Sequence, residues 1–338
     1  MRSGLVPTIY QVAERAGVSL STVSRVLNGK QTVNHNLRTR VEQAISELNY
    51  KPNLSARSLA KNKTDSVGAI VPSNSSAASA KLLSAIITHL RAENKHVIVT
   101  TTIDTEESEK SAVEFLVSRN CDAILMYSEM LSDNYLTELH KTKVPLVLIN
   151  RQITEICEQG CAIDNERAGY CATRHLLENG HQNIAFLSGQ KHNNSVIRQL
   201  AGYEKALKEA GLVISSSLMK EGDFSAEAGY SGLLDLLACD VGFSAVICSN
   251  DVIASGVLHC ARELGMNLPS DFSVMCINDT GLANHLYPRL TSVDTSIDDT
   301  ANWACRHIMN SVYGQYNNVQ YGSELTIVMR DSTLPYMP

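Results

Sequence analysis

A chain of 338 residues is too long for one ordinary hydrophobic core, and 44% hydrophobic with 19% charged residues excludes a mostly disordered one. The net charge of −6 is unevenly spread: residues 1–63 hold ten Lys/Arg against three Asp/Glu, or +7, which leaves −13 for the remainder. A segregated basic block of this kind suits a polyanion, although a small basic domain can also be merely solvated.

No apolar run reaches the roughly 18 residues of a membrane span. Residues 1–7 lack the apolar stretch of a signal peptide, so the expectation is a cytoplasmic protein with no membrane partner. The nine cysteines form no C-x-x-C pair, and Cys121, Cys248 and Cys276 fall inside apolar, strand-like runs. Buried thiols are expected rather than disulfides or zinc ligands.

In chain order, residues 8–28 (TIYQVAERAGVSLSTVSRVLN) place Ile9, Val12, Ala13 and Ala16, then Leu20, Val23 and Leu27, at helical spacing. Thr8 is a cap for the first helix, Gly17 supplies a turn with positive φ, and Ser19 caps the second. This is a helix-turn-helix whose second helix is placed to read DNA. With Val23, Val26 and Leu27 facing inward, Leu20, Ser21, Thr22, Ser24 and Arg25 are left for bases and phosphates, or for solvent. Arg25 suits a guanine edge, a bidentate contact worth roughly 1–3 kcal/mol of discrimination. A third helix begins at Asn34, with Leu37, Val41, Ala44, Ile45 and Leu48 as its buried stripe.

The pattern V-A-x-x-A-G-V-S-x-x-T-V-S-R-V-L-N, followed by Y-x-P-N-x-x-A-R-x-L, resembles the LacI/GalR family of transcriptional regulators, most nearly its galactose and β-glucoside branch, and the likeness runs on to the C-terminus. It implies a DNA-binding set of Thr8, Ser19, Leu20, Ser21, Thr22, Ser24, Arg25, Asn28 and Thr32 in the head. It also implies a hinge helix over NLSARSLA, where Asn53, Ala56 and Leu59 match the family pattern and Leu59 is the residue pushed between base steps in the minor groove. Asn53 is a good cap, yet eight residues are too few for a stable isolated helix. The segment therefore suits ordering on DNA, or an ordinary linker.

From residue 64 onward, apolar strands (SVGAIVP, HVIVTTT, CDAILMY, PLVLIN, NIAFLSG, FSAVICSN, FSVMCIND) alternate with amphipathic helices, the pattern of parallel βαβ sheets. They are too many for one compact sheet. The fold class expected is an all-α helix-turn-helix head plus an α/β core of two doubly wound parallel-sheet subdomains, of periplasmic-binding-protein-like type by resemblance. The domains are residues 1–52 (head), 53–63 (hinge) and 64–338 (core). The core divides into a first subdomain of about 64–162 plus 293–325 and a second of about 163–292 plus 326–338. The resemblance supplies the later crossings, near residues 291–294 and near Thr326.

Ligands of open α/β sheets sit at the carboxyl ends of strands, here residues 72–79, 150–151, 250–251 and 278–279. These ends are rich in amides and hydroxyls, with Phe224 as a ring for the apolar face of a sugar, although an Asn or Asp there is also an ordinary helix cap. Carried over from the family, the effector-binding candidates are Ser73, Ala78, Asn150, Arg151, Gln199, Phe224, Asn250 and Asn278. Gln199 stands where the family usually has Arg before L-A-G-Y, and Asn278 where Asp is usual. Ser76, Ala77, Ala78 and Ser79 replace an aromatic N-P-F-F, so a purine-type effector has no ring to stack on.

No H-E-x-x-H, G-x-S-x-G, Walker A or strand-linked G-x-G-x-x-G motif occurs, and neither catalytic nor metal-ligating residues nor a cofactor are expected. His175 and His181 read as positions on and after a surface helix. The function implied is a homodimeric repressor of a carbohydrate-utilisation operon, with a tetramer as the alternative assembly. It binds double-stranded operator DNA and is released by a small sugar or sugar-derivative inducer. The alternatives are a corepressor-dependent regulator with a non-sugar effector, a sugar-binding transport component and a sugar-processing enzyme.

Overall fold

The computed structural model describes residues 7–27, 33–51, 63–73, 77–103, 105–142, 144–315, 321–322 and 324–336. The chain forms two compact units, Met1–Thr64 and Asp65–Pro338. Asn28, Thr32, Asn53, Ala56 and Leu59 lie outside the described residues.

In the first unit three helices, α1 (Ile9–Ala16), α2 (Leu20–Leu27) and α3 (His35–Glu47), bury Val12, Ala13, Ala16, Val23, Val26, Val41 and Ala44 in a common core. Tyr50 closes that core from beyond α3, which the helical periodicity did not indicate. The ends of α1 follow the local chemistry. Thr8 and Gln11 form a reciprocal capping box, and Gly17 at φ 63° ends the helix in the left-handed region that a side chain disfavours. Ser19 Oγ accepts from the Thr22 N–H at 3.3 Å, opening α2, and Asn34 caps α3 through the Asn36 N–H at 3.0 Å.

In the second unit one sheet contains β1 (Ser66–Pro72), β2 (His96–Thr102), β3 (Ala123–Tyr127), β4 (Leu146–Ile149) and β5 (Gly160–Cys161), all parallel, in the order β2-β1-β3-β4-β5. The two-residue period of the strands sorts its residues onto two faces. Val67, Ala69, Leu125, Val147 and Ile149 pack under α4 (Ala77–Ala92) and α11 (Ile297–Tyr313). Ile70, Ile124, Met126, Leu146 and Leu148 pack under α5 (Glu106–Ser118) and α6 (Asp133–His140).

The other sheet contains β6 (Ile184–Ser188), β7 (Met219–Glu221), β8 (Ala245–Cys248), β9 (Ser273–Ile277), β10 (Thr291–Asp294) and β11 (Thr326–Val328). Its order is β11-β10-β9-β8-β6-β7, parallel throughout except for β11 against β10. Ile184, Phe186, Ala245, Ile247, Met275 and Ile277 pack against α7 (Asn165–Glu178) and α8 (Asn194–Glu209). Ala185, Leu187, Val246, Cys248, Val274 and Cys276 pack against α9 (Ala226–Leu237) and α10 (Asp251–Glu263).

The chain passes between the sheets three times: after β5, after β10 and before β11. Residues 293–294, assigned from the sequence to the first subdomain, belong to the second, because β10 bonds to β9 on one side and β11 on the other. The crossing comes at Thr295 and Ser296, where Ser296 takes φ 53° ahead of α11. His181 also departs from expectation. It is buried, bonded through Nδ1 to Ser244 Oγ at 2.9 Å and through Nε2 to the Leu334 carbonyl at 3.0 Å, so it fastens the C-terminal segment to the second sheet. Burial lowers its pKa. Cys121, Cys161, Cys248, Cys260, Cys276 and Cys305 are buried free thiols. Among the described residues no helix is long and apolar enough to cross a membrane.

Candidate functional site

On the head, α2 buries Val23 and Val26 and leaves Leu20, Ser21, Ser24 and Arg25 exposed, with Thr22 half-exposed beside them. Ser19 Oγ is shared with the hydroxyls of Ser21 at 2.8 Å and Thr22 at 2.9 Å, so the first turn carries a fixed polar cluster at the positively polarised helix end. Two other cations among the described residues of the head are occupied differently. Arg15 pairs with Glu47 at 2.6 Å, and Arg40 reaches the Gly17 carbonyl at 3.3 Å.

In the core, a cavity open to solvent at its mouth lies between the carboxyl ends of the strands of both sheets. In each sheet the central strands diverge to opposite sides (β1 from β3, β6 from β8), which leaves a crevice at their ends. The lining includes Ala78, Asn150, Gln199, Phe224, Asn250 and Asn278 from the sequence reading. Ser73 and Arg151 stand outside it. Ser73 bonds through its N–H to the Thr102 carbonyl at 2.7 Å. Arg151 turns away because its guanidinium donates to the Leu131 carbonyl at 2.6 Å and pairs with Asp133 at 2.5 Å.

The amides form a chain across the cavity wall. Asn150, at φ 64° after β4, donates through Nδ2 to Tyr127 Oη at 2.7 Å and Ser195 Oγ at 2.8 Å. Its Oδ1 accepts from Asn165 Nδ2 at 3.2 Å, and Asn165 Oδ1 accepts from Gln199 Nε2 at 3.2 Å. Gln199 is 3% exposed, and its buried Oε1 has no partner among the described residues. Asn250 caps α10 through Oδ1, at 2.8 Å from the Ile253 N–H, and lines the cavity as well, so capping and lining coincide in one side chain. Asn278, at φ 96° after β9, accepts from Thr295 Oγ1 at 3.3 Å.

Phe224 takes its place because Gly189 leaves room: a Cβ there would stand 2.4 Å from the ring. Behind the wall Asp251 is buried, with Oδ2 accepting from the Thr280 N–H at 2.7 Å and the Thr280 hydroxyl at 2.5 Å. Burial raises its pKa, against the pull of those two hydrogen bonds.

Tyr127, Glu129, Asn165, Asn193 and Ser195 line the cavity too, and the sequence reading named none of them. The rule that ligands sit at strand ends, applied to CDAILMY as it was to its neighbours, leads directly to Tyr127 and Glu129. Glu109 holds their loop: 3% exposed, it accepts from Ser128 Oγ at 2.7 Å and from the N–H groups of Glu129, Met130 and Leu131 at 2.9, 3.1 and 3.1 Å. Burial pushes the Glu129 carboxyl above its ordinary pKa, as does the charge of Glu109, while the Tyr127 hydroxyl, the Asn194 N–H and the charge of Arg151 pull it back. Burial and the charge of Glu129 raise the Tyr127 phenol. Among the described residues no cluster of His, Cys, Asp and Glu suited to a metal ion occurs.

A helix-turn-helix head and a two-sheet core with a cleft at its strand ends together define one class, DNA-binding regulators with a periplasmic-binding-protein-like core. Residues 8–53 match the family of bacterial regulatory proteins, lacI family, and residues 64–312 match that of periplasmic binding proteins and the sugar binding domain of the LacI family. Catabolite control protein A of Priestia megaterium is 33% identical over 88% of this chain and 90% of its own length. The regulator GalS of Salmonella typhimurium is 32% identical over 91% and 90%. The lac repressor dimer bound to operator and the anti-inducer ONPF superposes with a TM-score of 0.86 at 27% identity, over 98% of this chain and all of that one. The complex of the regulator CelR with cellobiose does so at 0.69 and 28%, over 97% of this chain and all of that one. The chain belongs to the LacI family and is a DNA-binding transcriptional regulator.

Proposed function

We propose that this regulator is a repressor whose affinity for operator DNA is set by a small carbohydrate bound between the two sheets of its core. The observation that carries the reading is the lining: the amides of Asn150, Asn165, Asn193, Gln199, Asn250 and Asn278 share one cavity with the ring of Phe224. Paired donors and acceptors on amides suit the hydroxyls of a sugar, and an aromatic face suits its C–H surface. The cellobiose complex of a relative supports the same class of ligand.

Leu20, Ser21, Thr22, Ser24 and Arg25 read the operator from the exposed face of α2, Ser19 and Thr8 reach phosphates at helix starts, and two copies of the chain bind a near-palindromic site. Sugar binding releases the DNA by favouring one closure state of the cleft. A ligand moves that equilibrium only by its differential affinity, and a tenfold preference is worth about 1.4 kcal/mol. The protein works in the cytoplasm and is not an enzyme: amides predominate in the cavity lining, where Glu129 is the one carboxyl among the described residues.

The test is a thermal-shift screen of mono- and disaccharides on the purified protein, with each hit titrated against operator binding. A ligand at 100 times its Kd stabilises by about 2.7 kcal/mol. Sugars that leave both melting temperature and DNA affinity unmoved would sink the carbohydrate reading.

A further inference from the structure

Glu129 is the charged side chain among the described residues that line the cavity, and no Lys, Arg or His joins it there. The carboxylate sits behind β3 without an ion-pair partner within 4.0 Å among the described residues. Arg151, which acts on it electrostatically, is held off by Asp133 and the Leu131 carbonyl. Position 199, an arginine in the family pattern, is glutamine here.

Apart from the contact with the Tyr127 hydroxyl, the hydrogen bonds Glu129 receives are long. Oε1 accepts from Asn150 Nδ2 at 3.4 Å and Ser195 Oγ at 3.5 Å, and Oε2 from the Asn194 N–H at 3.3 Å. These three lie at or beyond the outer edge of normal hydrogen-bond length, so the carboxylate keeps acceptor capacity at the cavity wall. A half-buried carboxylate without a counter-ion is less favourable as an anion than one in water, and a cationic ligand group supplies the missing charge. An anionic ligand, such as a phosphorylated or carboxylated sugar, meets repulsion with no cation in the lining to offset it.

We infer that the effector is an amino sugar, a mono- or disaccharide with one unacylated amine, whose ammonium pairs with Glu129 while the amides and Phe224 hold the ring. This rests on the carbohydrate reading of the same cavity. Glu129 is then the specificity-determining residue, and Gln199 in the same wall is neutral, so it sets no charge against the amine.

The experiment is calorimetric titration of the full-length protein at neutral pH with glucosamine and galactosamine, each beside its parent hexose and its N-acetyl derivative. The parent controls for the ring and the acetylated form for the charge. We expect the free amine to bind at least about tenfold more tightly than either control, a difference of roughly 1.4 kcal/mol. In Glu129→Gln, which keeps the shape and the acceptor and removes the charge, that preference falls to within about threefold, roughly 0.65 kcal/mol. Glu129→Asp keeps the charge and must keep the preference, and the comparison on the unaltered protein needs no variant. Neutral hexoses binding as tightly as the amines would overturn the amino-sugar assignment and leave the carbohydrate reading standing. An amine preference that survives in a folded Glu129→Gln protein would overturn the role of Glu129. Failure of any sugar to bind would remove both readings.

Discussion

Asn150 Nδ2 donates to Ser195 Oγ at 2.8 Å, tying the carboxyl end of a strand in the first sheet to the first turn of a helix in the second. The same amide holds Tyr127 on its own side and leans on Glu129, so one side chain gathers the polar groups of both walls. The left-handed backbone at Asn150, φ 64°, aims it there, and asparagine is among the few residues that take this conformation at little cost. The two sheets are thereby held in a bridged arrangement whose stability resides in a handful of hydrogen bonds.

Ser195→Ala removes the acceptor from that bridge while Asn150 keeps Tyr127. A hydrogen bond of this kind is worth about 1 kcal/mol, so the bridged arrangement should lose about fivefold in population. Small-angle scattering should report a larger radius of gyration for the variant core, and effector affinity should weaken by a similar factor. An unchanged radius and an unchanged affinity would mean that the bridge does not govern closure.

Phe224→Ala should abolish the effector response and leave operator affinity intact in the absence of effector. Gly189→Ala tests the same ring less bluntly, since its Cβ meets the far end of a side chain rather than backbone. The ring should swing away at small cost in melting temperature and with a clear loss of effector affinity. A Gly189→Ala protein that binds effector normally would place the ring outside the recognition surface.

Arg330, after β11, and Asp279, after β9, pair at 2.6 Å, and Arg330 Nη1 also donates to the Leu290 carbonyl at 2.7 Å and Ser292 Oγ at 3.0 Å. Burial acts to raise the Asp279 pKa, but Arg330, Ser292 and Lys81 together hold it below the ordinary value. A carboxylate with a depressed folded pKa contributes stability in full above its unfolded pKa of about 3.9 and loses it as pH falls through the folded value. Arg330→Met should therefore cost about 3 kcal/mol at pH 7, by leaving a half-buried charge unpaired, and should flatten the decline in melting temperature below about pH 4. Parallel pH profiles for the two proteins would show that the pair does not contribute.

Arg25→Ala should lower operator affinity by about 1–3 kcal/mol and relax preference at one base position if the guanidinium reads a guanine, whereas a phosphate contact would weaken all sequences alike and reduce the salt slope by about one. Binding to duplex by mobility shift should fall steeply with salt in the unaltered protein. A flat salt dependence would contradict the assignment of the basic head to DNA.

Much of the molecule was legible along the chain because its causes are local. The apolar period of 3.6 in the head and the strand-length apolar runs of the core record which residues leave water, and Thr8, Gly17, Ser19 and Asn34 record where helices begin and end. The charge asymmetry is likewise a property of sequence alone. The carboxyl-end rule led to Asn150, Asn250 and Asn278 because strand ends are sequence features.

Tertiary structure alone decided what those strand ends face. Asn150 and Arg151 are adjacent, yet one enters the cavity and the other is claimed by Asp133 and the Leu131 carbonyl, partners about 20 residues earlier in the chain. Glu129 becomes a cavity wall because Glu109, in the preceding helix, folds its loop inward through three backbone N–H groups. His181 is buried because the C-terminal segment returns to it, and β10 stays with the second sheet because β9 and β11 flank it. Hydrogen-bond partners distant in sequence fix the direction of a polar side chain, and no local periodicity encodes them. The sequence thus determined the head, the strands and the class of regulator, and the long-range partners determined which charged side chain lines the cavity.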